Sequence, residues 1–169
     1  MNVIGVILGN ACSLLATVTD AISSTRKTAK GVLLVQSLSQ LIYCVGTILL
    51  KGYSGAVQNA VSLIRNFVAI RRIESRALEW FLVTLGVVLG IAFNNLGLVG
   101  YLPVIANLQY TLAVFKFKDN ERALKISFAV CIAMFAVFNG AIYNIVGVCS
   151  NLFLLATTLL VLFRQKARA

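Results

Sequence analysis

The chain has 169 residues, of which 60% are hydrophobic and only 12% charged, with a mean hydropathy of +0.93. Soluble domains carry roughly 45–50% apolar and about 25% charged residues. This composition therefore excludes an ordinary soluble enzyme, and several spans of about 20 residues leave no length for a separate soluble domain. The net charge of +10 does not indicate a nucleic-acid surface, because the basic residues stand in short clusters between apolar runs.

Seven apolar runs follow one another, at residues 3–22, 32–50, 55–70, 78–96, 99–115, 123–138 and 142–163. No basic residue precedes the first run and no cleavage site follows it, so it is expected to be a span rather than a signal peptide. In this first run Asn10, Ser13, Thr17 and Asp20 share one helix face. The second run carries Gln36, Gln40, Tyr43 and Thr47 on one face, and the third a broader stripe of Gln58, Asn59, Ser62, Arg65 and Asn66. Run four is nearly free of polar groups: Thr84 alone interrupts Phe81 to Phe93. Run five offers Pro103, Asn107, Tyr110 and Thr111, run six only Ser127 and Asn139 near its ends, and run seven Asn144, Gly147, Ser150 and Asn151. Lipid cannot hydrogen-bond these side chains, so the stripes are expected to face inward, either as interhelical glue or as the lining of a polar cavity.

Orientation follows from the basic residues. Arg26, Lys27 and Lys30, then Arg71, Arg72 and Arg76, then Lys116, Lys118, Arg122 and Lys125, and finally Arg164, Lys166 and Arg168 hold 13 of the 15 Lys and Arg. Positive loops stay cytoplasmic, which predicts seven spans, an external N-terminus and a cytoplasmic C-terminus in a bacterial inner membrane. Trp80 and Tyr53 read as interface anchors, and GVILG at 5–9 and GVVLG at 86–90 as GxxxG contacts between helices.

An internal similarity adds architecture. GAVQNAVSLIRN at 55–66 resembles GAIYNIVGVCSN at 140–151 without a gap, at an offset of 85, matching Asn59 to Asn144 and Asn66 to Asn151. Run three then corresponds to run seven, and the predicted fold is all-α: two parallel three-helix repeats, residues 1–72 and 99–169, joined by a linker helix within 73–98. Parallel repeats of this kind occur in small secondary transporters with the substrate near the midplane. Asn59, Asn66, Asn144, Asn151, Gln40, Asn107 and Arg65 are the expected substrate contacts, and Pro103 and Asp20 the gate or hinge residues.

Arg65 and Asp20 each lie six residues before a basic cluster, about 9 Å inside it. Two readings stand side by side: an intramembrane ion pair, or a snorkelling Arg65. Pro103, the single proline, frees a carbonyl and permits a bend in the fifth helix, read either as a hinge or as a packing kink. Cys12, Cys44, Cys131 and Cys149 form no CxxC and no histidine is present, so they read as small hydrophobes rather than zinc ligands, and no metal or cofactor is expected. With no acid pair and no Walker loop, an enzyme is not expected.

VSLIRNFVAIRR at 61–72, YLPVIANLQYTLAVFKFK at 101–118 and the stretch from Asn151 to Arg164 resemble the YgjV family of bacterial inner-membrane proteins. That resemblance implies topology and location. The three-one-three layout is also similar to SWEET sugar transporters and nicotinamide-riboside-type vitamin transporters, although no proline in run one matches Pro103. The expected function is a transporter or facilitator for a small neutral or zwitterionic polar metabolite. The alternative is a non-transporting scaffold or accessory subunit. Expected partners are the lipid bilayer and a small polar solute, not nucleic acid, with homo-oligomerisation left open.

Overall fold

The computed structural model describes residues 2–24, 29–71, 73, 75–116 and 121–166. Among them are seven α-helices and no strand: α1 Val3–Ser24, α2 Ala29–Leu49, α3 Tyr53–Ile70, α4 Arg76–Ala92, α5 Leu102–Lys116, α6 Glu121–Ala141 and α7 Ile145–Lys166, with a 3-10 turn at Gly97–Tyr101 before α5. Of the basic clusters, Arg71, Arg76, Arg122, Lys125 and Arg164 are described; Arg26, Lys27, Arg72, Lys118 and Arg168 lie outside the described residues.

Side chains satisfy several of the helix starts that would otherwise leave amide donors unpaired. Asn2 accepts from Ile4 N–H, Ser75 from Leu78 N–H and Asn144 from Gly147 N–H. Pro103 occupies the first turn of α5, where its missing N–H costs no intrahelical bond. The Val99 carbonyl is taken by Leu102 N–H. The expected mid-span bend at Pro103 is thereby corrected: the proline begins the α-helix after the 3-10 turn rather than interrupting it.

The helices close a ring. α1 packs on α2, α2 on α3, α3 on α5, α5 on α6, α6 on α7 and α7 on α1. α4 stands outside this ring, against α3, α5 and the 3-10 turn. It docks through the GVVLG glycines. Gln58 Nε2 donates to the Gly86 carbonyl at 2.8 Å, and a Cβ on Gly90 would come within 2.5 Å of Val104. The other glycine pair, Gly5 and Gly9, lets α1 approach Leu49, the last residue of α2, and Leu50 beyond it.

Burial is inverted relative to a water-soluble protein. Ser13, Ser37, Ser39, Thr47, Ser54, Gln58, Ser62, Asn66 and Asn144 are buried, whereas Val3, Phe153 and Phe163 are 71%, 71% and 68% exposed. The apolar runs Val3–Ile22 and Ile145–Arg164 are long enough to cross a bilayer, and little of either is covered by protein. Exposed apolar area on this scale needs an apolar solvent.

Two stretches of backbone repeat. α2 and α6 each have 21 residues, and both their starts (29 and 121) and ends (49 and 141) are 92 residues apart. α1 and α5 end at 24 and 116, and α3 and α7 begin at 53 and 145, again 92 apart. The turns between them match bond for bond. Gly52 N–H reaches Thr47 O at 2.8 Å, and Asn144 N–H reaches Asn139 O at 2.9 Å. Lys51 and Tyr143 hold the equivalent left-handed position, with φ of 58° and 59°. Gly55, Asn59 and Leu63 thus correspond to Gly147, Asn151 and Leu155. The offset of 85 is corrected by seven residues, because it sets Gly55 of α3 against Gly140 at the end of α6. The reason for the slip is helical. Seven residues are almost two turns, and Asn59–Asn66 and Asn144–Asn151 are both spaced by seven, so the stripe matches itself when shifted.

A candidate substrate cavity

A cavity of about 290 Å3 lies inside the ring. α2 supplies Gln40, Tyr43 and Thr47, α3 supplies Asn59, Ser62 and Arg65, and α7 with its capping residue Asn144 supplies Ser150 and Asn151. Asp20 comes from α1, and Asn107 and Tyr110 from α5. The cavity therefore gathers Asn59, Asn144, Asn151, Gln40, Asn107, Arg65 and Asp20 from the predicted set. It does not include Asn66, which is buried at 7% exposure outside the cavity wall, nor Pro103.

One end of the cavity is closed. Leu50, Phe138 and Ile142 form a buried cluster, backed by Leu96, Val99 and Leu102. Phe138 seats its ring against Gly52 and Gly55, where a Cβ would fall 2.9 and 2.5 Å from ring carbons. Asn10 ties this end together, donating to Tyr143 O at 2.9 Å and accepting from Val146 N–H at 3.1 Å. Asn95 donates to Lys51 O at 2.7 Å.

The polar residues divide into committed and uncommitted groups. Thr17 joins Tyr43 and Ser150 at 3.0 and 3.1 Å, locking α1, α2 and α7. Asn144 caps α7 and also donates to Asn139 at 3.1 Å, so its role in the fold is accounted for. Asn107 donates to Gln58, which carries the network out to α4. Asn59 reaches Thr47 at 3.3 Å. Gln40, Asn151 and Arg65, by contrast, form no hydrogen bond or ion pair with the described residues.

Asp20 and Arg65 do not form the expected ion pair. The Asp20 carboxylate accepts from Ser39 of α2, and α2 stands between α1 and α3, which do not touch. Both charges line the cavity, but equal depth on two helices does not bring side chains together when a third helix separates them.

The sequence reading missed the contribution of α6. Phe128, Cys131, Ile132, Phe135 and Phe138 line the cavity at helical spacing. Apolar side chains on a membrane helix carry no mark that separates a cavity wall from a lipid face, so no signal in the sequence could have found them. Of the four cysteines only Cys131 is buried; Cys12 and Cys44 are half-buried and Cys149 is exposed on α7.

A second cavity, of about 350 Å3, lies outside the ring between α3, α4 and α5. It shares Ser62, Arg65, Asn107 and Tyr110 with the central one, and its remaining wall is largely apolar. The central cavity is the candidate site because polar groups from six helices converge on it.

An all-helical fold with an apolar outside and a polar inside defines a helical membrane protein. The chain matches the family model Imp-YgjV, described as a bacterial inner membrane protein, over residues 7–169, and it belongs to that family. No curated protein and no solved structure matches it.

Proposed function

We propose that this protein is a seven-span transporter or facilitator that carries a small neutral or zwitterionic polar solute through the central cavity. The observation that carries this reading is the convergence of Gln40, Asn151 and Arg65, uncommitted among the described residues, on a cavity closed at one end by Leu50, Phe138 and Ile142. Polar side chains serving only as glue would be consumed in interhelical bonds, as Thr17 is.

The proposed topology sets the N-terminus and the α2–α3 and α6–α7 turns outside, and the C-terminus in the cytoplasm. It is supported by the basic residues, which gather at the opposite helix ends. Reporter fusions after residue 30 and at the C-terminus should both report cytoplasm; opposite sides would overturn it. The proposed halves are residues 1–72 and 99–169, with 73–98 as linker, related as parallel repeats. Exchanging α1, α2 and α3 for α5, α6 and α7 leaves the ring of packing partners unchanged, which supports this relation. The packing of Phe138 at the proposed outer end supports a reading in which the cavity presents its cargo to the cytoplasm.

The test is an uptake screen in proteoliposomes containing the full chain, over sugars, amino acids and neutral vitamins. Saturable uptake of one class is the expected result. Uptake indistinguishable from empty vesicles across the panel would leave the scaffold reading.

A further inference from the structure

We propose that the cargo carries a carboxylate, taken by Arg65, and a small apolar body, laid against α6: a zwitterion of the α-amino-acid type. This inference rests on the transport reading and names its substrate class. Arg65 is exposed, lines both the central cavity and the one beside α4, and lies six residues, about 9 Å, inside Arg71. It makes no ion pair or hydrogen bond with the described residues. A guanidinium in a low-dielectric site requires both acceptors and an opposing charge, and its planar fork matches a carboxylate in bidentate fashion. A neutral solute would supply acceptors but no charge.

The rest of the wall narrows the class. Phe128, Ile132 and Phe135 stack along one face of α6, and Tyr110 meets Phe128 with ring centroids 5.6 Å apart, extending the apolar surface beside Arg65. Asp20 lines the same cavity from α1, its carboxylate accepting from Ser39, so the wall carries charge of both signs. Among the described residues no lysine and no second arginine line this cavity, so a phosphate dianion, which calls for several cations, is the poorer match. The volume of about 290 Å3 suits a small solute.

The probes are L-leucine and L-leucinamide, identical in shape but for the carboxylate, measured by equilibrium binding to the detergent-purified full chain. L-leucine should bind at least about tenfold more tightly, the scale of a charge-assisted contact. Arg65→Gln should bring that ratio to within about twofold, and Arg65→Lys should keep part of it. Equal binding of the two probes by the wild type, or no binding of either, would overturn the proposal even if Arg65→Gln fails to fold. A preference that survives in folded Arg65→Gln would do the same. Proteoliposome uptake separates this inference from the one beneath it. Leucine preference without uptake sinks transport and keeps the site. Uptake of a neutral solute that is untouched by Arg65→Gln, with no leucine preference, sinks the site and keeps transport.

Discussion

Residues 29–63 and 121–155 match in helix bounds and turn bonds and differ in chemistry. α2 and α6 have equal length, and both end in a left-handed residue, Lys51 or Tyr143, followed by a helix that opens on Gly-x-x-x-Asn-x-x-x-Leu. Yet at the positions that face the cavity, Gln40, Tyr43 and Thr47 of the first half stand where Ile132, Phe135 and Asn139 stand in the second. The two charges of the cavity, Asp20 and Arg65, are likewise matched by Leu112 and Thr157. Matching helix bounds and turns thereby enclose an asymmetric site: both charges come from α1 and α3 and the phenylalanines from α6, while amides come from both sides. Backbone geometry is held by turns and glycine contacts, which tolerate few residues, whereas cavity-facing side chains are free to diverge without disturbing the ring.

The sharpest test of this comparison concerns the two corresponding glycines. Gly55→Val should clash with the Phe138 ring and cost about 3 kcal/mol, the upper range for overpacking. Adding Phe138→Ala should recover part of that loss in a thermal melt. Gly147 faces the Asn144 and Asn139 amides instead, so Phe138→Ala should not rescue Gly147→Val. Rescue of both would mean that the halves differ less than their side chains indicate.

Next come the corresponding asparagines. Replacing either Asn59 or Asn151 by Leu should lower uptake about tenfold, equivalent to about 1.4 kcal/mol, with little change in melting temperature. Unchanged uptake in both variants would reduce them to packing residues. Asn144→Ala, in contrast, removes the cap of α7 and should cost about 1 kcal/mol of stability. Its counterpart in the first half is Gly52, which has no side chain to lose. A stable Asn144→Ala with impaired uptake would return Asn144 to the binding set.

The smallest expected effect is a null. Asp20→Asn and Arg65→Gln should each perturb the protein, but their stability changes should add within about 0.5 kcal/mol, because each charge is held by different surroundings. A larger coupling would restore the ion pair that α2 now separates.

These predictions show how far the sequence could be read. The stripe Asn10, Ser13, Thr17 and Asp20 was legible as one helix face, and the structure turns all four inward, with Thr17 bonded to Tyr43 and Ser150. Arg65 was legible as an unusual charge, but its lack of a partner was not. Asn144 looked like a binding residue from its type alone, and only its distance of 3.0 Å to Gly147 N–H reveals a cap.

By itself the sequence determined the helices, their order and the ends at which the basic residues gather, because hydropathy and charge act locally, on each segment as it meets lipid or headgroups. Three things were left to the tertiary structure. It matched helix bounds and turns at an offset of 92 residues rather than 85, because helical spacing lets a stripe match itself two turns away and only the turns break the tie. It placed α2 between Asp20 and Arg65, because depth along a helix says nothing about neighbours around it. And it brought Phe128, Ile132 and Phe135 to the cavity, because in a membrane both the inside and the outside of a helix accept apolar side chains, so which face turns inward is decided by packing.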